Sequence, residues 1–492
     1  MKHTYSKEIT KRENSPEPTP ETSSNDDHAD PTKSNQEDLS HSGFSPVSIP
    51  PNLNSPVLRG SVSNSTAPDL ELTVESTGNG KKFTFRCPCG KAHEILLSGN
   101  DHYYKLDLYN SILINAVKAF NPLRIRLGGS LEDQIVYQFG EQEKCPVMEK
   151  QSDGLFGFSK GCLPRKRWDE VNEFLNKTGA KFTFGLNALI GKENSKEDKE
   201  NWVGDWDPTN ALSLMEYSIS KGYKIDSYEL GNELCSGGVA AKIDSVQYAK
   251  DITQLRNLVN MLYQNANTRP KVLGPAESVN VFTPRAGAWV GESGGAYNSG
   301  GKDVSNTFVD GFWYLDQLGM TAAFNHKVYC RQALIGGNYA MLNTTTFIPN
   351  PDYYGALLWH RLMGRNVLSV SHEGSSFLRV YGHCSKKGHG ITVLLINMSN
   401  STTFRVSLVN DMNTDKEVGS SDAMREEYHL TPKDGNIQSE VVLLNGTPLK
   451  LTQSLDIPEM NPKLVDPSST VKVKPHSIVF VYSKSFHAPA CS

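Results

Sequence analysis

The chain has 492 residues, 37% hydrophobic and 21% charged, and its 50 Lys+Arg against 54 Asp+Glu leave a net charge of −4. So near-neutral a balance excludes the dense basic face that nucleic-acid phosphates require, and no apolar run reaches the roughly 18 residues of a bilayer-spanning helix. The length suits two domains better than one.

Eight cysteines are too few for a disulfide scaffold, yet scattered pairs would fit an oxidising compartment. Sequons at Asn64, Asn176, Asn343, Asn397, Asn400 and Asn445 give the same hint. The opening MKHTYSKEITKRENSPEP, however, has no apolar core and does not read as a secretory signal peptide. Residues 1–66 hold eight of the 26 prolines and only two aromatics, Tyr5 and Phe44. Such a segment buries too little apolar surface to offset its ordering entropy, so disorder is predicted. Residues 67–105 form an atypical segment with weak strand signals, LELTV and KFTFRC. The pair Cys87 and Cys89, followed by His93 and His102, lacks the two-to-four-residue spacing of a zinc knuckle, and no metal site is predicted.

From residue 106 short buried strands alternate with amphipathic helices. Strands are predicted at 123–127, 181–186, 227–230 and 271–273, with two more ending at Glu292 and near Gly336 (QALIGG). Helices are predicted at 168–176, 211–221, 246–265, 304–318 and 353–363. This alternation implies a parallel sheet closed as a (β/α)8 TIM-type barrel over 106–365. From residue 366 onward FLRVYGHC, GITVLLINM, TFRVSLV, EEYHL, EVVLL and SIVFVYS, spaced by turn residues, predict a C-terminal antiparallel β-sandwich over 366–492. The basic run at 164–167 starts a helix and reads as a solvated surface.

Two glutamates follow strands directly, Glu233 in YELGNEL and Glu292 in WVGESGG. Parallel strands of a barrel all open on one face, so these carboxyls converge there. Glycoside hydrolysis needs such a pair, one to protonate the leaving oxygen and one to attack the anomeric carbon. Asn232 is placed to hold the sugar 2-hydroxyl. Either glutamate by itself reads more readily as a cap on the following helix than as a catalytic group.

The chain resembles the plant heparanase-like proteins, glycoside hydrolases of the β-glucuronidase type. The likeness is carried in order by LDLYNSILINAVKAFNPLRIRLGGSLEDQIVY, GFSKGCLPRKRWDEVNEFLNKTGAKFTFGLNAL, ELGNEL, AWVGESGGAYNSG, FWYLDQLGM, YCRQALIGGNYAMLNTTTFIPNPDYYGALLWHRLMG and the final APAC. It implies Glu233 as general acid/base, Glu292 as nucleophile, Asn232 as the 2-hydroxyl contact and Tyr339 as the residue holding the uronate carboxylate. It further implies disulfides Cys384 to Cys491 and Cys145 to Cys162, a substrate that is a uronic-acid-containing glycan or a glucuronide, and retention of configuration. Secretion, or a vacuolar or lysosomal location with peripheral membrane association, follows from the same likeness. The two-carboxylate mechanism needs no cofactor and no metal.

Two elements of the family pattern are absent from the sequence. Nothing before Tyr104 looks like the family's first barrel strand, which is either missing or replaced by KFTFRC. Glu233 and Glu292 are only 59 residues apart, while three βα units at roughly 30 residues each separate the fourth and seventh strands. The sixth strand is therefore expected to be missing. Two readings follow: a retaining glycosidase, or an impaired form or pseudoenzyme that only binds carbohydrate. The open wall predicts little activity for the chain as written.

Overall fold

A computed structural model describes residues 106–492, apart from 142–143, 235–240, 275–287, 297–298, 410–423, 487 and 492, together with three strands between residues 71 and 96. The disorder predicted for 1–66, and Cys87, Cys89 and His102, lie outside the described residues. The strand Gly80–Arg86, which contains most of KFTFRC, pairs antiparallel with Glu71–Thr77 on one side and Ala92–Leu96 on the other. It belongs to a three-stranded antiparallel sheet of its own and does not stand in for a parallel barrel strand.

Six parallel strands form the framework of the site: β1 (Arg124–Leu127), β2 (Lys181–Leu186), β3 (Ser227–Leu230), β4 (Lys271–Leu273), β5 (Trp289–Ser293) and β6 (Val328–Arg331). They fall into a four-stranded sheet of order β4-β3-β2-β1 and a pair, β5-β6. Helices α1 (Ser111–Lys118), α2 (Arg165–Thr178), α3 (Thr209–Ser220), α4 (Ser245–Leu262), α5 (Phe308–Ala323) and α6 (Pro351–Leu362) accompany them. Helix α1 is not among the predicted helices; its start is fixed by Asn110, whose side-chain oxygen accepts the N–H groups of Ile112 and Leu113. The central strands β2 and β3 are buried almost throughout, whereas β1 and β6, at the ends of their sheets, are half-buried along their length.

The strand predicted near Gly336 is corrected to β6, which ends at Arg331. Gly336 and Gly337 have φ of 106° and 76° and belong to a turn, and Ile335 makes only an isolated bridge to Leu342. The basic run is corrected in part: Arg165 and Lys166 are exposed, as a solvated surface requires, but Arg167 is not. Arg167 is buried, donating to Glu170 Oε2 and to the Leu106 carbonyl, both at 2.9 Å.

The C-terminal part begins at Met363, where α6 runs straight into the first of eight strands of an antiparallel sheet. Its central strands Ile391–Asn397 and Ser477–Ser483 show how an alternating pattern can look continuously apolar. Leu394, Ile396, Ile478 and Phe480 face the core shared with α5 and α6, while Ile391, Val393, Leu395, Val479 and Val481 face a second core. A smaller antiparallel pair, Phe404–Val406 with Val471–Val473, packs on that second side. The disulfide Cys384–Cys491 ties the C-terminal turn to this sheet across 107 residues, and Cys145–Cys162 closes a 17-residue loop beside the parallel strands. Closing such loops is worth about 3 to 5 kcal/mol on chain entropy.

One sequon is excluded in the folded protein. The Asn397 side chain is fully buried and its amide nitrogen donates to the carbonyls of Thr402, Val473 and Lys474, so no glycan fits there.

Candidate active site

The site is built at the C-terminal ends of β1, β3 and β5. Strand β3 ends at Leu230 and turns at once through Gly231, Asn232 and Glu233. Gly231 has φ of 72°, and a Cβ there would lie 2.2 Å from Leu234 Cδ1, so the turn admits glycine alone. Glu233 also has a left-handed backbone, φ 51°, which costs a non-glycine residue of order 1 kcal/mol and is a feature that clusters at functional sites. Asn232 is buried, and its backbone N–H donates to Asp133 Oδ2 at 2.9 Å. Asp133 Oδ1 accepts from the Ala188 N–H at 2.8 Å, so this one carboxyl pins the loops after both β2 and β3.

Arg126 joins the pieces. Its Nη1 donates to Glu292 Oε2 at 2.9 Å, Nη2 to Asn232 Oδ1 at 2.8 Å and Nε to Glu229 Oε2 at 2.5 Å. The Asn232 amide in turn lies 3.4 Å from Glu233 Oε2. A continuous polar chain therefore runs from Glu292 through Arg126 and Asn232 to Glu233. The other oxygen of Glu292 accepts from Gln332 Nε2 at 2.5 Å. The Glu292 side chain retains 24% exposure, against 7% for Arg126 and 1% for Glu229, so Glu292 reaches solvent more than the Arg126–Glu229 pair behind it. Its carboxyl borders a cavity of about 400 Å3 between β1 and β6, shared with Arg126, Ser130 and Gln332. A larger cavity of about 940 Å3 touches Asp133 and Asn187 but neither glutamate.

Tyr339 is brought to the same end. It is buried, and its ring edge packs against Gly294, two residues after Glu292, so close that a Cβ there would lie 3.4 Å from Cε1. The structure thus gathers Asn232, Glu233, Glu292 and Tyr339 into one region, and it forms both disulfides implied by the family likeness. Among the described residues no group of three His, Cys, Asp or Glu side chains could hold a metal ion.

Sequence reasoning missed Arg126, Glu229, Asp133 and Gln332. A signal for Arg126 was present: Arg124 and Arg126 alternate with Leu123, Ile125 and Leu127, which puts both arginines on the inner face of β1. Arg124 makes a lower layer, donating to Asp226 Oδ2 at 2.6 Å and stacking on Trp289 at 4.8 Å.

Burial dominates the electrostatics. It pushes Glu132 and Glu229 above the usual carboxylate range, and Asp133 up to about 7, even though Arg126 opposes all three shifts. Asp310 is likewise pushed up to about 7 by burial, against the pull of Arg331. A carboxyl whose folded value lies above its unfolded value binds protons more tightly in the native state. Its contribution is complete below about pH 4 and is lost as pH rises through about 7. Asp226 and Glu427 are lowered despite burial, Asp226 by Arg124 and Lys271 and Glu427 by His429 and Arg425, and they work in the opposite sense below about pH 4. Thermal unfolding followed by circular dichroism should therefore show a midpoint several degrees higher at pH 5 than at pH 8. An equal or higher midpoint at pH 8 would contradict the assignment of these buried acids.

Residues 98–280 and 276–319 match the family model described as glycosyl hydrolase family 79, N-terminal domain. Heparanase-like protein 2 of Arabidopsis thaliana is 42% identical over 490 aligned positions, covering 83% of this chain and 89% of that protein. The chain belongs to glycoside hydrolase family 79. Other relatives of this family 79 chain include baicalin-beta-D-glucuronidase of Scutellaria baicalensis, 38% identical over 80% of the chain and 85% of that protein. Heparanase of Gallus gallus is 28% identical over 67% and 72%. Because 83% of 492 residues is about 408, about 80 of the 490 positions aligned with heparanase-like protein 2 have no residue in this family 79 member. Among solved structures, the α-L-arabinofuranosidase of Thermotoga maritima in its arabinose complex superposes with a TM-score of 0.50 at 12% identity, over 76% of this chain and 89% of that one. That likeness is one of fold, and it places the family 79 chain among the α/β barrels.

Proposed function

We propose that this chain is a retaining glycosidase that hydrolyses β-glucuronosyl linkages in a uronic-acid-containing glycan or a glucuronide. The observation that carries the reading is the unbroken chain of contacts from Glu292 through Arg126 and Asn232 to Glu233 at the strand ends. Glu292, held between Arg126 and Gln332, is the nucleophile: its carboxylate attacks the anomeric carbon while Glu233 gives a proton to the leaving oxygen. Glu233, now ionised, then takes a proton from water, which displaces Glu292 and releases the sugar with its configuration retained. Asn232 holds the 2-hydroxyl and Tyr339 receives the uronate carboxylate. The names of the relatives, heparanase and a β-glucuronidase, support the linkage.

We read the ring as an eight-stranded barrel without its first and sixth strands, followed by a β-sandwich. In support, β4 and β5 are not paired with each other, nor are β6 and β1, and about 80 positions of the Arabidopsis relative are unfilled here. The paired glutamates and their anchors favour an enzyme over a carbohydrate-binding remnant. We infer an oxidising compartment from the two disulfides. The test is release of aglycone from an aryl β-glucuronide by the purified 492-residue protein, beside the aryl β-glucoside and α-L-arabinofuranoside. Preference for the glucuronide is expected. Turnover of either neutral glycoside in preference to it would overturn the reading.

A further inference from the structure

A buried cluster behind the nucleophile is left unused by this mechanism. Arg331, the last residue of β6, has a side chain only 2% exposed. Its Nη2 donates to Asp310 Oδ2 on α5, to Asp352 Oδ2 on α6 at 2.9 Å and to the Tyr339 carbonyl at 2.9 Å, while Nη1 donates to the Gln332 carbonyl at 2.8 Å. The guanidinium sits 4.9 Å from the Trp313 ring centre and 5.0 Å from that of Tyr314. One planar cation thus fixes the main chain at Gln332, which contacts the nucleophile, and at Tyr339.

The nucleophile's own loop is fitted to the same cluster. A Cβ on Gly294 would lie 3.2 Å from Gln332 Oε1, and one on Gly295 would lie 2.5 Å from Asp310 Oδ1 and 3.2 Å from Trp313 Cε3. From the other side, the N–H groups of Asn338 and Tyr339 donate to the Ser299 carbonyl at 2.7 and 3.2 Å. Tyr339 is therefore clamped between the loop that follows Glu292 and the Arg331 fork.

We propose that Arg331, braced by Asp310 and Asp352, is a positioning residue that holds the Glu292 contact at Gln332 and the substrate-carboxylate contact at Tyr339 in mutual register. The uronate part of this statement rests on the function proposed above. A fork with several fixed donors can hold both carbonyls and both carboxylates; a lysine, with its single ammonium, cannot span them. Displacements of about 1 Å at reacting groups can cost on the order of 100-fold in rate.

Arg331→Lys keeps the buried positive charge, so neither aspartate is left without a cation, and Asp352→Asn removes one brace while leaving Arg331 in place. With an aryl β-glucuronide, Arg331→Lys should raise KM about tenfold and lower kcat about tenfold together, with Asp352→Asn showing a smaller change in the same sense. Hydrogen exchange read by mass spectrometry provides a measure that needs no substrate. Amides at 333–342 should exchange at least about tenfold faster in Arg331→Lys, while those at 391–397 should not change. A fall in kcat with KM unchanged and exchange at 333–342 unaltered is the signature of simple loss of folded protein, and it would overturn the proposal. Faster exchange at 333–342 in a protein whose wild type cleaves no glucuronide would support the positioning role and overturn the functional reading instead.

Discussion

Glu292→Gln is expected to abolish the glycosyl-enzyme and to lower kcat/KM for an aryl β-glucuronide by about 10,000-fold or more, because an amide cannot attack the anomeric carbon. Glu233→Gln should behave differently. With a leaving group that departs without protonation the first step survives, so the protein should still be labelled covalently, but the intermediate should persist because no base activates water. Azide, which needs no base, should restore turnover in Glu233→Gln and give a β-glycosyl azide, and should have no such effect in Glu292→Gln. Intact-protein mass spectrometry and the azide rescue together check the assignment; the reverse pattern would exchange the two roles. Glu292 is gripped on both oxygens by Arg126 and Gln332, and Glu233 sits on a left-handed turn beside the Asn232 amide.

Arg126→Met should produce the largest loss of stability. The substitution keeps much of the side-chain volume but strands Glu229, which is 1% exposed and accepts its bond from Arg126 Nε. Removing one partner of a buried pair costs about 3 to 5 kcal/mol, mostly through the uncompensated charge left behind. Glu229 already titrates above the ordinary range because of burial, with Arg126 as the chief opposing influence, so losing the arginine drives it further up. The stranded acid then takes a proton, and the penalty shrinks as pH falls. Chemical denaturation of wild type and variant at pH 7.5 and pH 5 should show the larger deficit at pH 7.5. An equal deficit at both values would mean that Arg126 contributes by packing and not by charge.

The sequence made the framework legible because the elements that hold it are locally consistent. Residues 181–186, 227–230 and 271–273 are strands as predicted, since each is a short apolar run closed by turn residues. The antiparallel strands were equally plain, and the alternation at 391–397 and 477–483 explains why they look uniformly apolar: both faces are covered. Strand β6 was misplaced because VYCR is short and ends in a charged residue, while QALIGG beside it looks more apolar but contains two glycines with positive φ. Of the site, the two glutamates announced themselves by position. Their supports did not, because Arg126, Glu229 and Arg331 are charged residues within or at the end of strands, and only the three-dimensional neighbourhood shows which acid meets which base. Asp133 was hidden for a related reason: its function is to accept the N–H groups of Ala188 and Asn232, a role without any sequence signature.

The account turns on direct attack by Glu292 on the anomeric carbon, and proton NMR of the sugar released in the first minutes of hydrolysis of an aryl β-glucuronide tests that step most directly. A double displacement delivers the β-anomer first, with the α-anomer growing in later by mutarotation. That is the predicted result. Initial release of the α-anomer would show that water, not Glu292, attacks the sugar, and would contradict the mechanism proposed here.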